Sequence, residues 1–464
     1  MRASFAFLLE GTAMASTFPD RDLLLCDLLN RELICALGCT EPIAVAYAAA
    51  VARRVLGTEP ERLAVRCSGN IIKNVKSVTV PNSGGMRGVD AAAVLGAVGG
   101  DAASELEVLE AVDDAMRRRA RELLTQPSYC DVSLVEGVPN LYIEVAAEAA
   151  GHTAEVVISG HHTDVVRCTL DGVPYAEGCP RARLAGIVCD GKCPADHAPS
   201  ETDAPASCGT PARSLDDILA FATSGDIEPA RSALERQINL NTAISQEGLD
   251  NPWGAEVGRT LLDTRSGDVA CRARARAAAG SDARMGGCAL PVAIVCGSGN
   301  QGITTCLPVL TYAEDLGVAG DRLLRALALS DLVAIHVKSY VGALSAFCGV
   351  VCAACGAGAA VTWMRGGTDE QVGATIVNTL GNVGGIVCDG AKASCAAKIS
   401  AAVDAAILAS DMAMAHRGFK AGEGVVQETV EQTIAAMGYV GRVGMQSTDI
   451  EILNIMIGKT AIDC

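Results

Sequence analysis

The 464-residue sequence predicts an α+β protein in which a large all-helical domain is joined to a smaller α/β subdomain. Three observations carry this expectation. Within residues 59–178, the segments DVSLVEG, LYIEVAAE, HTAEVVISG and DVVRCTLDG alternate apolar and polar residues between turn signals, the pattern of half-buried strands. From Ser214 onward apolar residues recur almost continuously at helical spacing. Aromatic residues make up only 3% of a chain that is 50% hydrophobic, and Ala and Gly are abundant, so the core is expected to consist of closely approaching helices with small side chains at their contacts.

The elements follow in order. The opening MRASFAFLLEGTAMAS imitates a signal peptide, but its apolar stretch is short and ends at Glu10, so residues 1–18 read as an N-terminal extension, with Met14 as an alternative start. Residues 19–58 read as a helical segment packing on the large helical domain, broken near Leu37 to Glu41. In the 59–178 subdomain LAVRCS (63–68) and SVTV (77–80) read as strands, residues 88–124 as helices, and the four alternating segments as further strands. Residues 179–213 are rich in Pro, Ala and Asp and read as a linker; Cys189, Cys193 and His197 stand there at metal-like spacing but lack a fourth ligand. The 214–464 domain begins at SLDDIL, a Ser N-cap followed by acids. Residues 339–364 carry no charge and are long enough to cross a bilayer, yet they are rich in Gly, Ala and Cys and have no second span to accompany them; a buried helix is expected.

Charge and cysteine content narrow the function. A net charge of −17 without any Lys/Arg block argues against nucleic acid or an anionic membrane as partner and leaves small molecules. Twenty cysteines without a secretory signal suit a reducing, cytoplasmic setting, in which thiols bind metal, react or simply pack.

Four stretches can carry chemistry. In LGCTEPIAVAYAAAVARRVL (37–56), Thr40 reads as an N-cap, Glu41 and Pro42 suit the first turn, and Cys39 lies just outside a helix N-terminus, where a thiolate is favoured as nucleophile or base; an inert packing cysteine is the alternative. In SGNIIKNVKSVTVPNSGG (68–85), Asn70 and Lys73 suit carboxylate recognition or a solvated polar turn. In ALPVAIVCGSGNQGITTCLPVL (289–310), Gly297, Gly299 and Gly302 have the G-x-G-x-x-G spacing of a dinucleotide fingerprint. The acid about twenty residues on, Asp321, opens a helix rather than ending a strand, so a nest for a small anion is expected instead. Finally Cys348, Cys352 and Cys355 share one helical stripe, while Cys388 and Cys395 flank a D-G turn leading into a helix, a place where two thiolates can converge on metal.

Together GCTEP (38–42), SGN-x-x-K-N (68–74), CGSGNQG (296–302) and TLGNVGGIVCDGAKASCA (379–396) resemble the L-cysteine desulfidase family, related to the alpha chain of iron-sulfur L-serine dehydratases, over residues 19–464. The resemblance implies a lyase converting L-cysteine to pyruvate, ammonia and sulfide by α-proton abstraction and β-elimination, with a 4Fe-4S cluster and no pyridoxal phosphate. It implies Cys348, Cys388 and Cys395 as cluster ligands, Cys39 as the base, and Ser298, Gly299, Asn300, Gln301 and Gly302, with Asn70 and Lys73, as the substrate-binding set. L-serine dehydration on the same site and a non-catalytic iron-sulfur sensor are the alternatives. The proximity of Cys352 and Cys355 to Cys348 makes the first ligand a question for the structure, and the terminal Cys464 is a second thiol able to approach an open iron. The oligomeric state, a homo-oligomer included, stays open.

Overall fold

The computed structural model describes residues 19–175, 214–265, 267–342 and 344–460. The N-terminal extension, the Cys189/Cys193/His197 segment and Cys464 lie outside the described residues. The chain opens with α1 (Pro19–Glu32), β1 (Cys35–Leu37) and α2 (Thr40–Leu56). The α/β unit comprises β2 (Arg62–Ser68), α3 (Gly69–Val75), α4 (Val89–Gly99), α5 (Asp114–Leu124), β3 (Cys130–Val135), β4 (Tyr142–Ala149), β5 (His152–Ser159), β6 (Val165–Leu170) and β7 (Val173–Pro174). The rest is helical apart from one short strand: α6 (Leu215–Ser224), α7 (Arg231–Asp250), α8 (Val257–Thr264), α9 (Val269–Met285), β8 (Pro291–Ala293), α10 (Gly299–Leu316), α11 (Asp321–Val341), α12 (Gly349–Met364), α13 (Asp369–Val383), α14 (Cys395–Met414), α15 (Val430–Tyr439) and α16 (Gln446–Met456). The architecture is the α+β class with a large helical domain.

The six-stranded sheet runs in the order β3-β2-β4-β5-β6-β7; β2 and β3 are parallel and the other neighbours antiparallel. The parallel pair needs a crossover, and α3, α4 and α5 supply it. Buried residues alternate along β2 (Leu63, Val65, Cys67), and α2 covers this face together with α4. The SVTV segment does not join the sheet. Val78, Thr79 and Val80 are all buried, so there is no alternating solvent face, and Pro81 ends the segment; its one bridge is Thr79 to Arg87 across its own turn.

In the helical domain α12 is central, packing against α10, α11, α13 and α14. Its sequence GVVCAACGAGAAVTWM makes this position possible: a Cβ built on Gly356 would lie 2.0 Å from the Ser330 carbonyl oxygen of α11, so the two backbones approach as only glycine allows. Residues 339–364 are therefore no single span. α11 ends at Val341 and α12 begins at Gly349, and no helix among the described residues is long and apolar enough to cross a membrane.

Two short pairings bring separate helix starts together. β1 pairs antiparallel with β8, Cys35 opposite Ala293, which places the start of α2 beside the start of α10. The Cys348 N–H donates to Ile386 O at 2.9 Å and the Cys388 N–H to Ala346 O at 2.6 Å, which places the start of α12 beside the loop leading to α14.

Candidate active site

Four helix N-termini meet at one cavity of about 160 Å³ between the α/β unit and the helical domain. Cys39 is the N-cap of α2, Ser298 of α10 and Cys348 of α12, and Cys395 is the first residue of α14. Each terminus offers backbone N–H groups without intrahelical partners and the positive end of a helix dipole, so the cavity is built to hold negative charge.

Of the residues expected from sequence, Cys39, Asn70, Lys73, Ser298, Asn300, Gln301, Cys348, Cys388 and Cys395 line this cavity. Gly299 and Gly302 support it from behind: a Cβ on Gly299 would meet Arg284 Nε at 2.3 Å, and one on Gly302 would meet Ala293 O at 2.0 Å. The loop before α10 turns through left-handed conformations at Cys296 and Gly297 (φ 50° and 70°). β8 belongs to a two-stranded antiparallel ribbon, so no βαβ unit surrounds the fingerprint-like glycines.

Cys352 and Cys355 are fully buried in α12 and do not line the cavity, whereas Cys348 does. The backbone pairing of 346–348 with 386–388 puts Cys348 in hydrogen-bonding contact with Cys388. The Cys348 thiol donates to Cys388 and so holds that thiol below its usual range, against burial and with help from Lys73. The same contact, with burial, pushes Cys348 well up. Burial raises Cys395, opposed by the Lys392 N–H, while Lys392 and Lys398 bring positive charge to it. Among the described residues no group of three or more His, Cys, Asp or Glu is gathered as a site for a single metal ion.

Cys39 departs from expectation in its protonation. It occupies the N-cap itself, and Thr40 is the first helical residue, its hydroxyl donating to Gly297 O at 2.8 Å. The helix end favours a thiolate, but burial and the adjacent Glu41 carboxylate outweigh it and push the thiol well above its ordinary value, with Arg284 opposing. The sulfur donates to Glu41 Oε2 at 3.2 Å. Burial would raise Glu41 too, yet His162 and the Cys39 thiol hold its carboxyl low; Asn74 Nδ2 donates to its other oxygen at 3.1 Å.

Asn70 and Lys73 do grip a carboxylate, that of Asp449 on α16: Asn70 Nδ2 donates at 3.0 Å and Lys73 forms an ion pair. Glu41, His162 and Arg284 also line the cavity without having been expected there. Glu41 stood out only as a helix-end acid. His162 lies in the β5–β6 turn, where two adjacent histidines in a chain with only six were the available signal. Arg284 closes α9 behind an alternating Arg/Ala run that looks like a solvated face.

The family model of the serine dehydratase alpha chain matches residues 104–454, which take in the cavity's Arg284, the α10 loop and all three cysteines. The chain belongs to the serine dehydratase alpha chain family. Within this family its similarity extends over nearly the whole length of relatives described as UPF0597 proteins. Those of Lachnoclostridium phytofermentans and Finegoldia magna are each 45% identical over 435 residues, covering 93% of this chain and 98% and 99% of theirs. One from Treponema denticola is 39% identical over 436 residues, covering 93% of this chain and 96% of its own. The family match makes this chain similar to serine dehydratase-like lyases.

Proposed function

We propose that this chain is an iron-sulfur lyase that converts L-cysteine and water to pyruvate, ammonia and hydrogen sulfide. The observation that carries the reading is the meeting of Cys348, Cys388 and Cys395 with Cys39 and the α10 loop around one cavity ringed by helix N-termini.

The donor set fits a cluster. Three thiols on one wall are soft ligands of the kind that hold iron and sulfide, and the neighbouring Lys73, Lys392 and Lys398 with the helix ends offset the negative charge such a group carries. Cys348, Cys388 and Cys395 would hold it. A 4Fe-4S cluster held by these residues would supply a Lewis acid to the reaction.

The chain's own residues would do the rest. The α10 loop seats the amino acid beside Cys39. The sulfur's proton passes along the 3.2 Å contact to the Glu41 carboxylate, leaving a thiolate that the helix N-terminus and Arg284 stabilise. The resulting thiolate removes the α-proton as hydrosulfide leaves Cβ. The aminoacrylate formed hydrolyses to pyruvate and ammonia. Thr40 keeps the two loops in register through its hydrogen bond to Gly297.

The C-D-G-A-K form of residues 388–392 and the easier departure of hydrosulfide than hydroxide favour L-cysteine. The family's description favours L-serine as the second reading. The test is anaerobic purification of the full chain, measurement of iron and acid-labile sulfide, and assay of pyruvate from both amino acids. Iron-bearing protein with kcat/KM higher for L-cysteine is expected. A higher value for L-serine reverses the substrate, and full lyase activity without iron overturns the reading.

A further inference from the structure

Arg284 is only 2% exposed, yet among the described residues it forms no ion pair. Its single hydrogen bond there runs from Nε to Gly38 O at 2.9 Å, which leaves both terminal nitrogens without a protein partner on the wall of the cavity. A buried guanidinium without an anion is costly. The group is also pressed onto Gly299, the first residue of α10, and so faces a second source of positive charge. The nearest carboxylate by electrostatic effect, Glu41, already accepts from Cys39, Thr40 and Asn74.

Two further groups in the same turn lack partners. Asn300 (7% exposed) and Gln301 (4% exposed) both line the cavity, and the side-chain oxygen of each is buried without a hydrogen bond. Buried acceptors of this kind call for a donor. An anion-seeking guanidinium beside two donor-seeking oxygens is the complement of a zwitterion.

Resting on the reading of this cavity as an amino-acid site, we infer that Arg284 seats the substrate's α-carboxylate against the first turn of α10, and that Asn300 Oδ1 and Gln301 Oε1 receive its α-ammonium. Such a seat ranks ligands by their α-carbon substituents. It also orients them: Arg284 lies against the first residue of α10, whereas Cys388 and Cys395 lie at the loop leading into α14. With the carboxylate held at Arg284, the β-substituent is free to face the cysteines.

The test is calorimetric titration of the full chain with L-alanine, which has no β-leaving group, L-alaninamide, which has no carboxylate, and L-lactate, which has no ammonium. The wild type should bind L-alanine more tightly than either analogue. Losing a charge-assisted contact in Arg284→Gln should weaken L-alanine about 10- to 100-fold and leave L-alaninamide unchanged. Gly299→Ala attacks the same contact from the helix side and should give a similar loss, and Arg284→Lys an intermediate one. Arg272→Gln, which removes an exposed pair with Asp315, is the control. Circular dichroism reports folding, and Gly299→Ala and Arg284→Lys decide the matter if Arg284→Gln does not fold. Unchanged L-alanine affinity in these variants, or no L-alanine binding by the wild type, overturns the carboxylate seat; lactate binding as tight as L-alanine overturns the ammonium half. Arg284-dependent L-alanine binding by a protein without lyase activity would leave the seat standing and remove the lyase reading alone.

Discussion

Substituting Cys348, Cys352 and Cys355 one at a time with Ala separates a ligand from its helical neighbours. Cys352 and Cys355 are fully buried in the α12 core, so each loses a group about the size of one methylene, worth about 1 kcal/mol. At an unfolding entropy of about 2.1 cal/mol/K per residue, a domain of roughly 400 residues shifts its Tm by about 1 °C per kcal/mol. Cys352→Ala and Cys355→Ala should therefore lower Tm by a degree or two and keep iron and acid-labile sulfide. Cys348→Ala removes a thiol from the cavity wall and should lose the bound iron and sulfide, with brown colour and lyase activity gone together. The assay is iron and sulfide per chain after anaerobic purification, beside a thermal melt. Loss of iron in Cys352→Ala, or its retention in Cys348→Ala, would refute the assignment of the first ligand.

Cys39→Ala should retain iron but abolish exchange of the substrate's α-hydrogen with solvent, followed by NMR in deuterated buffer; if iron is lost instead, Cys39 is a ligand and not the base. Burial raises the Asp331 carboxyl to about 7, and its free oxygen and that of Gln237 both lack partners. Because the folded state holds this proton more tightly than the unfolded chain, the group's contribution to stability falls as pH rises from about 4 to about 7. Asp331→Asn supplies the missing donor at every pH, so its Tm gain over wild type should be larger at pH 8 than at pH 5; an equal gain at both would count against it. Lys73→Met strands the Asp449 carboxylate and should destabilise by about 3–5 kcal/mol, while adding Asp449→Asn should recover much of the loss in urea melts; additive losses would show the pair is not coupled.

Much of this protein is legible in its chain. The strand run from β3 to β6, the break between α1 and α2, the Ser214 cap and the small-residue contacts of α12 all follow from local spacing and side-chain size, because each depends on neighbours a few residues apart. The motifs around Cys39, Asn70, Ser298 and Cys388 are visible as short patterns, and the resemblance they carry assigns them to one site, but the cavity that joins them exists only in the fold. Two elements went differently. SVTV has strand composition but is buried on every side, and Cys39 has a helix-end position whose charge preference is reversed by burial and by Glu41. The resemblance names Cys348 as the first ligand, but only the tertiary structure shows that Cys348 lines the cavity while Cys352 and Cys355 do not, and only it brings Arg284 and His162 to the same wall. Sequence spacing puts three cysteines on one stripe, but which one meets Cys388 is decided by the pairing of 346–348 with 386–388, about forty residues away along the chain. An arginine that follows an alternating Arg/Ala run looks solvated until α10 closes over it, since its unmet charge exists only once water has been excluded.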